Sequence, residues 1–241
     1  MRTLVLDIET VGEDWDTLDE TTQHVLARWV ERTAKTEEER EVGIADLREG
    51  LGFSPLTGEI VAIGLYDLEA EKSVVYYQAP GADAGDVTEG DVTLKVRSEA
   101  AMLADFWEGA KSYDTFVTFN GRAFDLPFIL LRSAICGVVP SRDLMDGRYL
   151  YQQKDGKHVD LADQLTFYGA VFKKPALHLY CRAFGIESPK AQGVEGDDVA
   201  GLFRAGKYQD IARYNARDIV ATAELYRKWQ EYLAPRGMRR G

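Results

Sequence analysis

A mixed α/β domain is the fold class this sequence predicts, and three observations predict it. Strand-like segments crowd the first half of the chain. One strand–turn–helix unit occupies the middle. The last hundred residues are mostly helical. Such an order sets a central sheet against helices and leaves few strands for a second domain.

Residues 3–10 (TLVLDIET) read as the first strand, with Leu4, Leu6 and Ile8 alternating onto one face. Residues 15–49 are charged and predict two helices inserted after that strand. The stretches 59–70 (EIVAIGLYDLEA) and 72–79 (KSVVYYQA) predict two strands joined by a short polar turn, hence a hairpin. Residues 81–91 (GADAGDVTEGD) read as a Gly/Asp loop, and 98–111 have helical spacing. DTFVTFN, 114–120, is rich in β-branched and aromatic residues and predicts a strand. A helix then opens near Asp125, a candidate N-cap, with Pro127 in the first turn. Further helices are expected around 161–168, 176–184, 198–204 and 208–233.

Charge and composition narrow the function. Of the net charge of −11, residues 13–49 carry −7 through twelve acids and five bases, and the remaining 204 residues carry −4. That acidity argues against a broad, sequence-independent duplex binder and leaves a phosphate-rich substrate open. With two cysteines, Cys136 and Cys181, a disulfide scaffold is excluded, and no His/Cys spacing suggests zinc. The start has acids inside its apolar stretch, and no apolar run approaches the ~20 residues of a membrane span, so a soluble cytoplasmic protein is expected. Neither a Walker nor a GxGxxG loop is present, so an ATPase or dehydrogenase has no support.

Three signals carry chemistry. Asp7 and Glu9 alternate onto one strand face, where two carboxylates ~4 Å apart repel by roughly 4 kcal/mol at an effective dielectric of 20. Buried, such a pair needs a cation; at a strand end it needs only solvent. In TFNGRAFDLPF a strand ends at Asn120, Gly121 allows a sharp turn, and Asp125 opens a helix, which is also ordinary capping chemistry. In IARYNARDIVATAELY, Tyr214 and Asp218 share a helix face and flank an apolar stripe through Ile211, Asn215, Ile219 and Tyr226. Taken alone, Asp218 reads first as the partner of a neighbouring arginine on a solvated face.

The ordered set is more specific than its parts. DxE on the first strand, NG-x-x-FD at a strand-to-helix turn and Y-x-x-x-D on the last long helix resemble the three motifs of DEDDy 3′–5′ exonucleases, in the ribonuclease-H-like superfamily. The stand-alone enzymes similar to the proofreading domain of family-B DNA polymerases match further, through NGRAFDLPFILLRSAICGVVP, HVDLADQLTFYG and the run PKAQGVEGDD that leads to the third motif. The resemblance covers most of residues 1–10 and 57–233 and omits 13–50 and the basic tail 236–241.

The resemblance implies a ribonuclease-H-like exonuclease fold: a central mixed sheet flanked by helices with a helical C-terminal half, in one domain over 1–235 that carries the insertion at 13–50. It implies release of 5′-mononucleotides from the 3′ end of single-stranded nucleic acid, with DNA favoured over RNA. Two Mg²⁺ or Mn²⁺ ions would be held by Asp7, Glu9, Asp125 and Asp218, with Asp7 bridging and Tyr214 orienting water. Asn120, Phe124 and Lys190 are the candidate substrate contacts: Asn120 serves either the 3′-terminal nucleotide or the turn, Lys190 either the scissile-strand phosphate or solvent, and Phe124, Phe119 and Tyr168 are candidate stacking surfaces. Asp160 is expected to cap a helix, Asp163 to be a surface acid, and Lys173 and Lys174 to be solvated. The insertion is expected to cover the site or to meet a protein partner. The alternative is a catalytically silent binding module that retains the fold.

Overall fold

The computed structural model describes residues 2–83, 85–171, 173–189 and 199–235. Its chain order is β1 (Thr3–Gly12), α1 (Glu20–Thr33), α2 (Glu37–Gly50), β2 (Gly58–Asp67), β3 (Lys72–Tyr77), β4 (Val87–Glu89), β5 (Val92–Val96), α3 (Glu99–Ala110), β6 (Thr115–Thr118), α4 (Asp125–Ile135), β7 (Lys157–Asp160), α5 (Leu161–Leu165), α6 (Leu177–Phe184), α7 (Val199–Arg204) and α8 (Tyr208–Tyr232). The strands form one mixed sheet in the order β4-β5-β3-β2-β1-β6-β7. β1 lies inside it, antiparallel to β2 and parallel to β6. The expected hairpin is β2–β3, and both helices of the insertion form.

Strand alternation splits the core into two layers. Leu4, Leu6 and Ile8 pack with Met102, Leu103 and Phe106 of α3 and with Leu126, Phe128 and Ile129 of α4. Val5 and Val11 join the opposite layer, where Ile211, Ile219, Leu225 and Trp229 of α8 lie buried. Each such apolar side chain, taken from water, contributes about 1.5–3 kcal/mol, so β1 is held firmly on both faces. Buried Glu99 of α3 fastens the first layer. It accepts from Ile60 N of β2 at 2.8 Å and from Arg132 Nε of α4 at 2.8 Å.

Several expectations need correction. The segment read as a loop contains β4, and β5 and β7 were not anticipated. β4 is fully exposed, so no buried alternation marks it, and β7 has only four residues. The helix expected over 161–168 ends at Leu165, because Phe167 and Tyr168 turn left-handed with φ of 51° and 57°. Asp163 is no surface acid: it is 5% exposed and binds Arg148 Nε and Nη2 at 3.0 and 2.7 Å. Asp160 caps α5 as expected, accepting from Ala162 N at 2.9 Å. Lys173 and Lys174 are exposed as expected. The tail 236–241 lies outside the described residues.

Candidate active site

β1 delivers the first two acids. Pleating places Asp7 and Glu9 on the face toward α8, and the pairing of β1 with β2 slips between Glu9 and Thr10. A bulge of this kind bends a strand and re-aims its side chains. Glu9 is 8% exposed, so this is no solvent-washed strand end.

The turn after β6 delivers the third acid. Asp160 organises it by accepting from Asn120 N and Arg122 N, both at 2.9 Å. Asn120, not Gly121, takes the left-handed conformation, with φ of 64°. Asparagine tolerates that region better than most residues. Gly121 is needed for space instead, since a Cβ there would collide with Thr118. Asp125 does not cap α4. Phe124 holds the cap position, and the Asp125 carboxylate accepts from Ile8 N of β1 at 3.1 Å. The third acid is thus tied to the strand that carries the first two. His158 sits beside this turn on β7, with Nε2 2.8 Å from Thr118 Oγ1. Burial pushes it down to about 3, so it is neutral.

α8 delivers the rest. Tyr214 and Asp218 are 6% and 9% exposed. One pocket of about 250 Å³ is lined by Asp7, Glu9, Asn120, Phe124, Asp125, Tyr214 and Asp218, among others. Carboxylate oxygens of Asp7, Glu9 and Asp218 all lie within 4.8 Å of one another. The structure therefore brings together Asp7, Glu9, Asn120, Phe124, Asp125, Tyr214 and Asp218. Lys190 lies outside the described residues. Phe119 also lines the pocket, whereas Tyr168 does not. The insertion's exit returns to the pocket wall, where Phe53 meets Phe124 edge-on at 6.4 Å.

Burial and mutual repulsion dominate the electrostatics. Burial, then the charges of Asp125, Glu9 and Asp218, push the Asp7 carboxyl well above its usual range. Glu9 is raised by burial and by Asp218. Burial carries Asp125 up to about 7. The Tyr214 phenol is raised by burial and then by Asp218 and Glu9, so it keeps its proton at neutral pH. Such a cluster of hard oxygens suits Mg²⁺ or Mn²⁺, whose charge would remove the repulsion.

One site residue was missed by sequence reasoning. Asn215, placed in the apolar stripe of α8, is 0% exposed and donates from Nδ2 to Asp7 at 2.8 Å and to Glu9 at 3.4 Å. Its Oδ1 is buried without a hydrogen-bond partner among the described residues. It reaches the acids because Gly64, opposite Asp7 on β2, has no side chain to block α8. A polar residue in the middle of that stripe was the available signal.

Known proteins resemble this chain in sequence and in fold. Residues 71–235 match the family described as predicted 3′–5′ exonucleases related to the exonuclease domain of PolB. The chain is 26% identical over 240 residues to DNA polymerase 1 of Saccharolobus solfataricus, covering 91% of this chain and 26% of that protein. Its fold is similar to the family B DNA polymerase of the hyperthermophilic archaeon Pyrobaculum calidifontis. The TM-score is 0.56 at 18% identity, over 95% of this chain and 24% of that one. The chain thus spans about a quarter of the length of the polymerases it matches. The mixed sheet and this likeness bear out the ribonuclease-H-like exonuclease fold.

Proposed function

Because this chain belongs to the family of predicted 3′–5′ exonucleases related to the exonuclease domain of PolB, we propose that it hydrolyses the 3′-terminal phosphodiester of single-stranded nucleic acid and releases 5′-mononucleotides. DNA is the favoured substrate, since the matched relatives are DNA polymerases. One observation carries the reading: acids from β1, α4 and α8 converge, with a tyrosine, on one pocket. A silent binding module has no need of so costly a buried cluster. We take residues 1–235 as a single domain.

In this proposal Asp7, Glu9, Asp125 and Asp218 would hold two Mg²⁺ or Mn²⁺ ions. Bound there, the ions supply a nucleophile at neutral pH and charge stabilisation for in-line displacement. Asn215 holds the Asp7 and Glu9 carboxylates in orientation. Tyr214, protonated and hydrogen-bonded to Asp218, orients the attacking water and is no base. Phe119, Phe124 and Asn120 frame the terminal nucleotide.

End-labelled single strands of DNA and RNA, incubated with and without Mn²⁺, test the reading. Stepwise shortening from the 3′ end should require the ion and be absent in Asp218→Asn. A wild type that shortens neither polymer in Mn²⁺ would refute it. Tyr214→Phe is expected to lower kcat by roughly 10–100-fold with little change in Mn²⁺ affinity. An equal collapse of both would contradict the orienting role.

Residues 13–50 are proposed as a protein-binding surface. Trp29 is 74% exposed, with Val25 and Val42 at 54% and 57%. With a second copy of this chain as the partner, wild type should sediment as a dimer and Trp29→Ser as a monomer. Association that survives the change refutes the role.

A further inference from the structure

Beside the acid pocket lies a second cleft of about 260 Å³, and Asn120 lines both. Arg122, Arg148 and Lys174 bring positive charge to it, in a chain whose net charge is −11. The two acids of this cleft are already engaged. Asp160 accepts backbone N–H groups of Asn120, Arg122 and Ala162, and Asp163 is bound by Arg148. Arg122 donates to Met145 O at 2.9 Å and Lys174 is exposed, so their charge faces no carboxylate of the cleft that is not already bonded.

An aromatic ladder begins where the cleft ends. Arg148 Cζ lies 6.0 Å from the Tyr168 ring centroid. The Tyr168 ring lies 4.7 Å from that of Tyr149, and Tyr149 stacks on Tyr151 at 5.8 Å with an interplanar angle of 13°. Leu150, between the two tyrosines, is buried in the core and pins the segment. Gln164 Nε2 donates to the Tyr168 hydroxyl at 2.7 Å and fixes that ring. Tyr151 is nonetheless 82% exposed, so beyond its contact with Tyr149 a broad ring is held open to solvent. Backbone strain accompanies this surface. Phe167 and Tyr168 both have positive φ, an expensive choice for bulky residues, and Phe167 is 60% exposed and so gains little burial from it.

We propose that the ladder of Tyr149, Tyr151 and Tyr168, reached through the cleft of Arg122, Arg148 and Lys174, binds the segment of a single strand that lies upstream of its 3′ end. The occupant follows from continuity with the acid pocket and from charge. A phosphodiester backbone matches the cations of the cleft, and unstacked bases match the open tyrosine faces, whatever the sequence. This strand path rests on the nuclease reading for its direction but has its own test.

Fluorescent oligothymidylates, from dimer to dodecamer, are titrated against the protein by anisotropy with Ca²⁺ in place of Mg²⁺. Wild-type affinity should rise with length. Tyr151→Ala should bind the dodecamer about tenfold more weakly, the contribution of one stacked base. Its deficit should shrink as the strand shortens, and Tyr151→Trp should restore binding. Tyr232→Ala, at another exposed tyrosine (58% exposed) at the end of α8, should match wild type. A dodecamer bound as tightly by Tyr151→Ala as by wild type overturns the strand path, and would mark the ladder as a surface for another class of partner. Length-dependent binding that needs Tyr151, without nucleotide release in Mn²⁺, would sink the catalytic reading and leave the strand path standing.

Discussion

Asp7→Asn is expected to melt higher than wild type in EDTA near pH 8 and lower than wild type in saturating Mn²⁺, while nucleotide release disappears. Burial and three neighbouring carboxylates hold the Asp7 carboxyl above its ordinary range. The folded protein therefore keeps protons that the unfolded chain releases. Stability from such groups is present below the unfolded carboxylate value, about 3.9, and is lost as pH rises through the folded value. For Asp125 that value is about 7, so its share is lost there. As the carboxyls ionise in turn, the metal-free cluster accumulates repulsion. Removing one charge returns on the order of 2 kcal/mol, or roughly 4–8 °C at this chain length. Metal reverses the order, because an ion at a hundred times its Kd stabilises wild type by about 2.7 kcal/mol and the variant forgoes most of it. Thermal melts with and without Mn²⁺ decide the matter. A variant less stable than wild type in both conditions would mean that Asp7 is structural.

Gly64→Ala is expected to cost stability and activity together. Position 64 pairs with Asp7 across β1 and β2. An added methyl would fall far inside van der Waals contact distance of Asn215 Oδ1 and 3.1 Å from Ile219 Cγ2. Both neighbours are fully buried on α8, so neither can swing away cheaply. Overpacking of this kind costs about 1–3 kcal/mol. The displaced Asn215 would release Asp7 and Glu9, and a misplacement of about 1 Å lowers turnover by roughly a hundredfold. The same change at Gly109 of α3, where a methyl meets no atom within 4 Å, serves as control and should stabilise slightly. Equal behaviour of the two variants would refute the close-approach argument.

Long apolar periodicity made most elements legible. Leu4, Leu6 and Ile8 do alternate into one layer, and the stripe of α8 does face the sheet. β4 and β7 escaped because short strands are stabilised by ladder hydrogen bonds to neighbours distant in sequence, not by a pattern of their own. Asp125 looked like a cap because local spacing cannot reveal that Ile8 N, 117 residues away, is its partner. Asp163 looked solvated for the same reason, since Arg148 reaches it from a separate segment.

Residue chemistry and motif order alone were enough to single out Asp7, Glu9, Asp125, Tyr214 and Asp218 as a set, with alternation and helical spacing pairing Asp7 with Glu9 and Tyr214 with Asp218, because those periodicities are properties of the local backbone. Packing between distant segments settled what no local rule contains: how close three carboxylates approach, that Asn215 lies across two of them, and that a missing side chain at Gly64 lets it do so. Those are distances between chain segments, and they exist only once α8 has docked on the sheet.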